Sequence, residues 1–241
     1  MLEEIAAGDS PVSASEIAAR AGVNRGTAWR LLATLEHFQL VERDPASGRY
    51  TVGWGAARIA AAGSTPALIR RARPVLERLG AELDENCYLQ VASGTTLLVL
   101  DEVRSKRPVK VELADIEVPL HCGSAGKIFL AHLPEEELAE FLESPMERFT
   151  PGTITDPAAL RAELEAVRHQ GYAVAYAEHL PEWGGITSVT CDVQGRPLAY
   201  LNITVPSYRY TRETLTALSQ PLLAATKDLE HRLNPPGRPS A

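Results

Sequence analysis

Residues 13–35, SASEIAARAGVNRGTAWRLLATL, constrain the fold more than any other stretch. Ser13-Ala-Ser-Glu16 has capping-box spacing: a hydroxyl takes the amide three residues on, and that residue's carboxylate reaches back. Ile17, Ala18 and Ala21 then form an apolar face at helical spacing. Gly22 suits the left-handed position that ends a helix. Asn24 caps a second helix in which Ala28, Leu31, Leu32 and Leu35 supply the buried stripe, with Thr27 and Arg30 facing outward. Two short helices around a tight turn are helix-turn-helix grammar. LVERDPASGRYTV (residues 40–52) adds two β-prone runs around a turn-rich tip, Asp44 to Gly48. That is a hairpin placed as a wing.

The rest of the chain alternates helical and strand-like patterns. WGAARIAAAG, from Trp54, is alanine-rich and reads as a bridging helix broken at Gly63-Ser-Thr-Pro66. A long helix follows from Pro66, with a kink expected at Pro74. CYLQVA, TTLLVLDEV and PVKVEL read as strands, and DPAALRAELEAVRHQG as a helix capped by Asp156 and closed by Gly171. GITSVTCDV and PLAYLNITVP read as strands joined at Gln194-Gly195, before a final helix over about residues 210–233. The expected class is α+β: a winged helix-turn-helix over 1–52, a linker helix over 53–65, an α/β domain over 66–234 and a disordered tail over 235–241.

Composition removes several alternatives. No apolar run reaches the roughly 18 residues of a transmembrane helix, and the acidic start MLEEIAAGDS is no signal peptide. A cytoplasmic protein without membrane contact is the expectation. Cys87, Cys122 and Cys191 are too scattered for a disulfide framework, and no spacing suggests a metal site or a cofactor. The net charge is −7, so nucleic-acid binding requires a local basic face. Residues 1–65 hold six arginines, no lysine and seven acids. Arg25 and Arg30 fall on the exposed side of the second helix; Arg43 and Arg49 flank the wing tip. Arg30 suits a bidentate guanine contact, and Thr27 a base edge or thymine methyl. Arg43, Ser47 and Arg49 suit the phosphate backbone of double-stranded DNA. A helical hairpin making protein contacts is the plainer alternative.

HCGSAGKIFLAHL (residues 121–133) looks like a phosphate loop and fails the test for one. A Walker loop needs Gly-x-x-x-x-Gly-Lys-Ser/Thr. Here His121 stands at the first glycine and Ile128 at the Ser/Thr position. The amides of Ser124, Ala125 and Gly126 still suit a cradle for one carboxylate at a helix start. Close packing of that helix on a sheet explains the small residues equally. His121-Cys122 offers no third group for nucleophilic catalysis, so no catalytic residue is assigned and Cys122 reads as a small buried side chain. Glu178-His179 reads as a loop salt bridge or a solvated tip, and Trp183-Gly-Gly185 as a cavity wall or a packing tryptophan.

SEIAARAGVNRGTAWRLLATLEHFQLVER…GRYTVG resembles the winged helix-turn-helix of IclR-type bacterial transcriptional regulators. PLHCGSAGKIFLAHLP and GYAVAYAEH…ITSVTCDVQGRPLAYLNITVP resemble the two signature stretches of that family's effector domain. The resemblance runs through nearly the whole chain in order. It implies a GAF-like α/β sensor domain and assembly as homodimers or dimers of dimers on a pseudo-palindromic operator. Two departures stand out. Gly26 replaces a commonly found serine, and Met1 falls inside what is usually a longer first helix, which suggests a longer natural N-terminus.

Carried over position by position, the family's effector pocket falls on Val118, Ser124, Ala125, Gly126, Trp183, Gly185, Asn202 and Thr204. Asn202 and Thr204 alternate along one strand and so share a face. Ala175 falls where regulators of small keto-acids carry an aspartate, and Gly185 where they carry a larger polar side chain. The expected effector is an organic acid larger than pyruvate, with an aromatic acid as one fit. The alternative is an enzyme or cofactor-binding α/β domain fused to a helical interaction module.

Overall fold

The computed structural model describes residues 1–6, 11–53, 55–56, 65–113 and 116–234. Most of the expected linker helix and the whole expected tail lie outside these residues. The chain divides into two compact units, Met1–Pro66 and Ala67–Ala241.

In the first unit, α1 (Leu2–Ala6), α2 (Ala14–Arg20) and α3 (Arg25–His37) precede a two-stranded sheet of β1 (Val41–Arg43) and β2 (Tyr50–Val52). The capping box forms as read: Glu16 N donates to Ser13 Oγ at 3.3 Å, and Ser13 N to Glu16 Oε2 at 2.8 Å. Asn24 Oδ1 accepts from Thr27 N at 2.8 Å and starts α3. Gly22 turns the chain between the helices at φ +66°. β1 and β2 pair antiparallel, Val41 opposite Val52, and Val12 bridges to Tyr50. Ile5, Val12, Ile17, Leu32, Val41 and Tyr50 form the core.

Leu31 corrects the expected stripe, because it is 43% exposed. Ala28 and Leu32 are buried and Leu35 is half-buried, following one i, i+4, i+7 line. α3 buries only that line, and Leu31 lies beside it. Ala21 is half-buried and serves as the C-cap of α2 rather than as core.

The second unit is a five-stranded antiparallel sheet between helices. Its elements are α4 (Thr65–Leu83), β3 (Asn86–Ser93), β4 (Thr96–Val103), α5 (Ser124–Ala131), α6 (Glu135–Glu143), α7 (Pro157–Gln170), β5 (Tyr172–Tyr176), β6 (Trp183–Cys191), β7 (Pro197–Pro206), α8 (Arg212–Thr216) and α9 (Ser219–Leu233). The strand order is β4-β3-β7-β6-β5. α4 and α9 cover one face, packing Leu76, Leu79, Leu222 and Leu229 against Leu89, Ile186, Leu201 and Ile203. α5 and α7 cover part of the other, packing Ile128, Leu130, Leu164 and Val167 against Ala173, Val189 and Tyr200. No helix among the described residues is long and apolar enough to cross a membrane.

Three differences from the sequence expectations have identifiable causes. PVKVEL forms no strand: residues 110–113 run without a ladder. The Val111 carbonyl instead accepts from Asn86 Nδ2 (2.6 Å), Tyr88 Oη (3.1 Å) and Thr204 Oγ1 (3.1 Å), so side chains satisfy it in place of a neighbouring strand. The final helix divides into α8 and α9 because Pro221 lacks an N–H and its ring would clash with the carbonyl of Ala217, four residues back. α4 is one helix from Thr65 to Leu83 with Pro74 inside it, as read. α6 and β5 were not read from sequence at all; β5 is only five residues long, and α6 opens on three consecutive glutamates.

Candidate functional site

Two surfaces carry the sequence candidates, one in each unit. In the first, Arg25 and Arg30 are exposed on α3, and neither has an ion-pair partner among the described residues. Thr27 is half-buried beside its cap. The wing residues are exposed but already engaged. Arg43 Nε donates to the Gly48 carbonyl at 3.3 Å, and its guanidinium lies 5.6 Å from the Trp29 ring centroid. Ser47 Oγ donates to Asp44 within the turn. Arg49 Nη1 donates to the Pro11 carbonyl at 2.9 Å and lies 3.7 Å from Glu16. Two of the three proposed backbone contacts, Arg43 and Arg49, therefore also tie the wing to the rest of the unit. Trp29, 54% exposed on α3, was missed from sequence, although the helical register that placed Arg30 also placed it outside the stripe.

In the second unit, Val118, Ser124, Ala125, Gly126, Trp183, Gly185, Asn202 and Thr204 all line one cavity of about 830 Å³. This falls in the range of pockets that hold small organic ligands, roughly 300–1,000 Å³. Its floor is the sheet face carrying Gln90, Asn202, Thr204, Gly185 and Ala175. α5 starts at its wall. Gly123 is the N-cap and supplies no side-chain acceptor. The first backbone bond of the helix is Lys127 N to Gly123 O at 2.8 Å, so the amides of Ser124, Ala125 and Gly126 precede any intrahelical partner. With the helix dipole behind them they favour an anion or a carbonyl oxygen.

Small residues here also serve packing. A Cβ on Gly126 would stand 2.3 Å from the Leu120 carbonyl oxygen, and one on Gly185 would stand 2.9 Å from Ser124 Oγ. The close approach of helix and sheet expected here is therefore present at Gly185 and Ser124. Asn202 Nδ2 donates to Thr187 Oγ1 at 2.6 Å and Ser124 Oγ at 3.2 Å, tying β7 to the helix start. Asn202 Oδ1 is buried without a partner among the described residues. The Thr204 hydroxyl donates to Val111 O at 3.1 Å, which ties the segment before Leu113 to the sheet. Trp183 is 8% exposed and lines the cavity, so it packs and walls together.

Glu178 is not a solvated tip. It is buried, as is Lys127, whose ammonium donates to Glu178 at 2.8 Å, Val174 O at 3.3 Å and Glu163 at 3.4 Å. Arg212 adds a second cation at 3.4 Å from Glu178. Lys127 was passed over in sequence as part of a failed phosphate motif. The signal was a lone charge inside GKIFLAHL, an otherwise apolar helical run. His179 lines the cavity, packing edge-on to Phe149 at 4.9 Å and 5.9 Å from Trp183. Burial and then the nearby His121 hold its pKa below the ordinary histidine value. Burial and then the Glu178 charge push the Cys122 thiol up to about 12, so it stays protonated and inert. Among the described residues no group of His, Cys, Asp or Glu side chains is arranged to hold a metal ion.

Known proteins match both units. The IclR helix-turn-helix domain matches residues 1–45, and the bacterial transcriptional regulator IclR C-terminal domain matches residues 60–231. The HTH-type transcriptional regulator BhcR of Paracoccus denitrificans is 30% identical over 235 residues, covering 96% of this chain and 84% of that protein. The Thermotoga maritima IclR crystal structure superposes with a TM-score of 0.63 at 26% identity, over 96% of this chain and 95% of its own. An IclR homolog from Microbacterium hydrocarbonoxydans, solved in complex with 4-hydroxybenzoate, has a TM-score of 0.64 at 27% identity, over 96% of this chain and 95% of its own. With a helix-turn-helix in one unit, a cavity under an antiparallel sheet in the other and family matches across both, the chain belongs to the IclR family of bacterial transcriptional regulators.

Proposed function

We propose that this regulator binds a pseudo-palindromic operator as a homodimer or dimer of dimers, and that an organic acid larger than pyruvate sets its affinity for that DNA. Residues 1–52 are the DNA-binding unit, 53–65 the linker and 66–234 the sensor. Arg30 and Thr27 face base edges, while Arg25, Arg43, Ser47 and Arg49 hold the backbone. The observation that carries the effector reading is the cavity. Eight residues spread from Val118 to Thr204 line one space of about 830 Å³ at the start of α5. The acid's carboxylate sits on the Ser124, Ala125 and Gly126 amides, and its apolar body lies against Trp183. Ala175 and Gly185 leave their part of the floor short and apolar, which favours a ring or longer chain over a two- or three-carbon acid. The 4-hydroxybenzoate complex of the Microbacterium relative is consistent with this size class. The acid acts by preferring one of two arrangements of the assembly, which needs only differential affinity.

The test is calorimetric titration of the full-length protein with glyoxylate, pyruvate, benzoate, 4-hydroxybenzoate and phenylacetate, followed by the same acids in a DNA-binding assay. Aromatic acids should bind and change DNA affinity. Tight binding of glyoxylate or pyruvate with no binding of the larger acids would refute the size argument.

A further inference from the structure

We infer that Trp29 is a specificity-determining DNA contact, whose indole rests against a thymine methyl on the wing side of the base read by Arg30. The inference rests on the reading of α3 as the groove-entering helix.

The argument starts from register. Taking the buried line of Ala28 and Leu32 as the inner face, a period of 3.6 residues puts Gly26 and Arg30 on the outermost face. Trp29 falls one step round from Arg30, on the same flank as Arg25 one turn earlier. Arg43 of β1 lies over the indole, so this flank is the one that faces the wing. Trp29 thus stands between the outermost helix face and the hairpin.

A tryptophan left 54% exposed is costly, and no core cluster of the unit includes it. The surrounding charge indicates its partner. Arg25, Arg30 and Arg43 are all exposed around it, and together they suit a polyanion. Arg43 is held in place from below by the Gly48 carbonyl, so the indole and guanidinium form a preset pair rather than two independent side chains. An apolar ring on a cation-lined helix flank matches the one apolar group in the major groove, the C5 methyl of thymine. Gly26 on the adjoining outer position leaves room for the groove wall to approach.

The experiment uses the full-length protein and a duplex selected by it from a randomised pool. Trp29→Ala should weaken binding to the selected duplex about tenfold, corresponding to burial of the methyl and ring edge. Binding to random duplex should hardly change, and the slope of log affinity against log salt should match the wild type, since no charge is removed. Replacing half-site thymines by uracil one at a time should weaken wild-type binding at one position and leave Trp29→Ala indifferent there. Trp29→Phe should recover part of the loss. Wild-type affinity in Trp29→Ala, or a uracil penalty that persists in it, would overturn the proposal. So would a loss that accompanies a change in oligomeric state or unfolding temperature. Failure of the wild type to enrich any duplex would instead overturn the DNA-binding reading on which this one rests.

Discussion

Replacing Lys127 by methionine keeps the length of the side chain and removes its charge from a site with no solvent exposure. In the folded protein the ammonium serves Glu178, Glu163 and the Val174 carbonyl. Glu178 is itself 2% exposed, so the variant strands a carboxylate in the interior. Breaking a buried pair from one side costs about 3–5 kcal/mol, because the remaining charge has lost its compensation. Arg212, half-exposed and 3.4 Å from Glu178, retains part of that compensation, so the lower end applies. The expected loss is about 3 kcal/mol, or a fall in Tm of roughly 6–12 °C for a unit of this size. Urea denaturation followed by far-UV circular dichroism reads it directly. Glu178→Leu should cost a similar amount, since Lys127 then keeps only the partly exposed Glu163 and one carbonyl. The double variant should cost less than the two single losses together by about 2 kcal/mol or more, because neither charge is then stranded. A Lys127→Met protein within about 0.5 kcal/mol of wild type, or strictly additive losses, would refute the reasoning.

Gly126→Ala should destabilise by about 2 kcal/mol or more, against the helix-propensity gain of about 1 kcal/mol, because the new methyl meets the Leu120 backbone; equilibrium denaturation checks the sign. Burial, and secondarily Glu85, pushes the Cys87 thiol up to about 12, while its unfolded value is about 8.5. The folded state therefore holds the proton more tightly. The stability this thiol contributes is intact below about pH 8.5 and lost as pH rises toward 12, so Cys87→Ala should lose less stability than wild type between pH 8 and 10.5. Cys87 and Cys122 should also resist iodoacetamide at pH 8 until the protein is unfolded. Ser13→Ala removes one half of the α2 capping box and should cost the first unit about 1 kcal/mol, measured by thermal unfolding of the full chain.

Local grammar was legible where the cause is local. The capping box at Ser13 and Glu16, the Asn24 and Asp156 caps, the Gly171 helix stop and the Gln194-Gly195 turn each depend on residues within four positions of one another. Hydrophobic period then identified α3, α4 and α7 and the long strands β6 and β7, because each buries a continuous line or a whole face. PVKVEL shows the limit of the same method. Its alternation is that of a strand, but a strand exists only where a neighbour offers a ladder, and here three side chains from β3 and β7 take the carbonyl first.

The sequence by itself determined the two-unit order, the helix-turn-helix with its wing and, through resemblance, which eight residues share a cavity. Only the tertiary structure decided what those residues do for one another. Ser124, Thr187 and Asn202 lie far apart in the chain yet form one hydrogen-bonded cluster at the start of α5. Lys127 became the partner of Glu178 because α5 packs across β5, and Arg49 became a clasp on Pro11 because Val12 bridges to Tyr50 beside them. A charged side chain looks the same in sequence whether it meets water, a phosphate or a buried carboxylate. Burial and distance alone separate these cases, and both are properties of the folded chain.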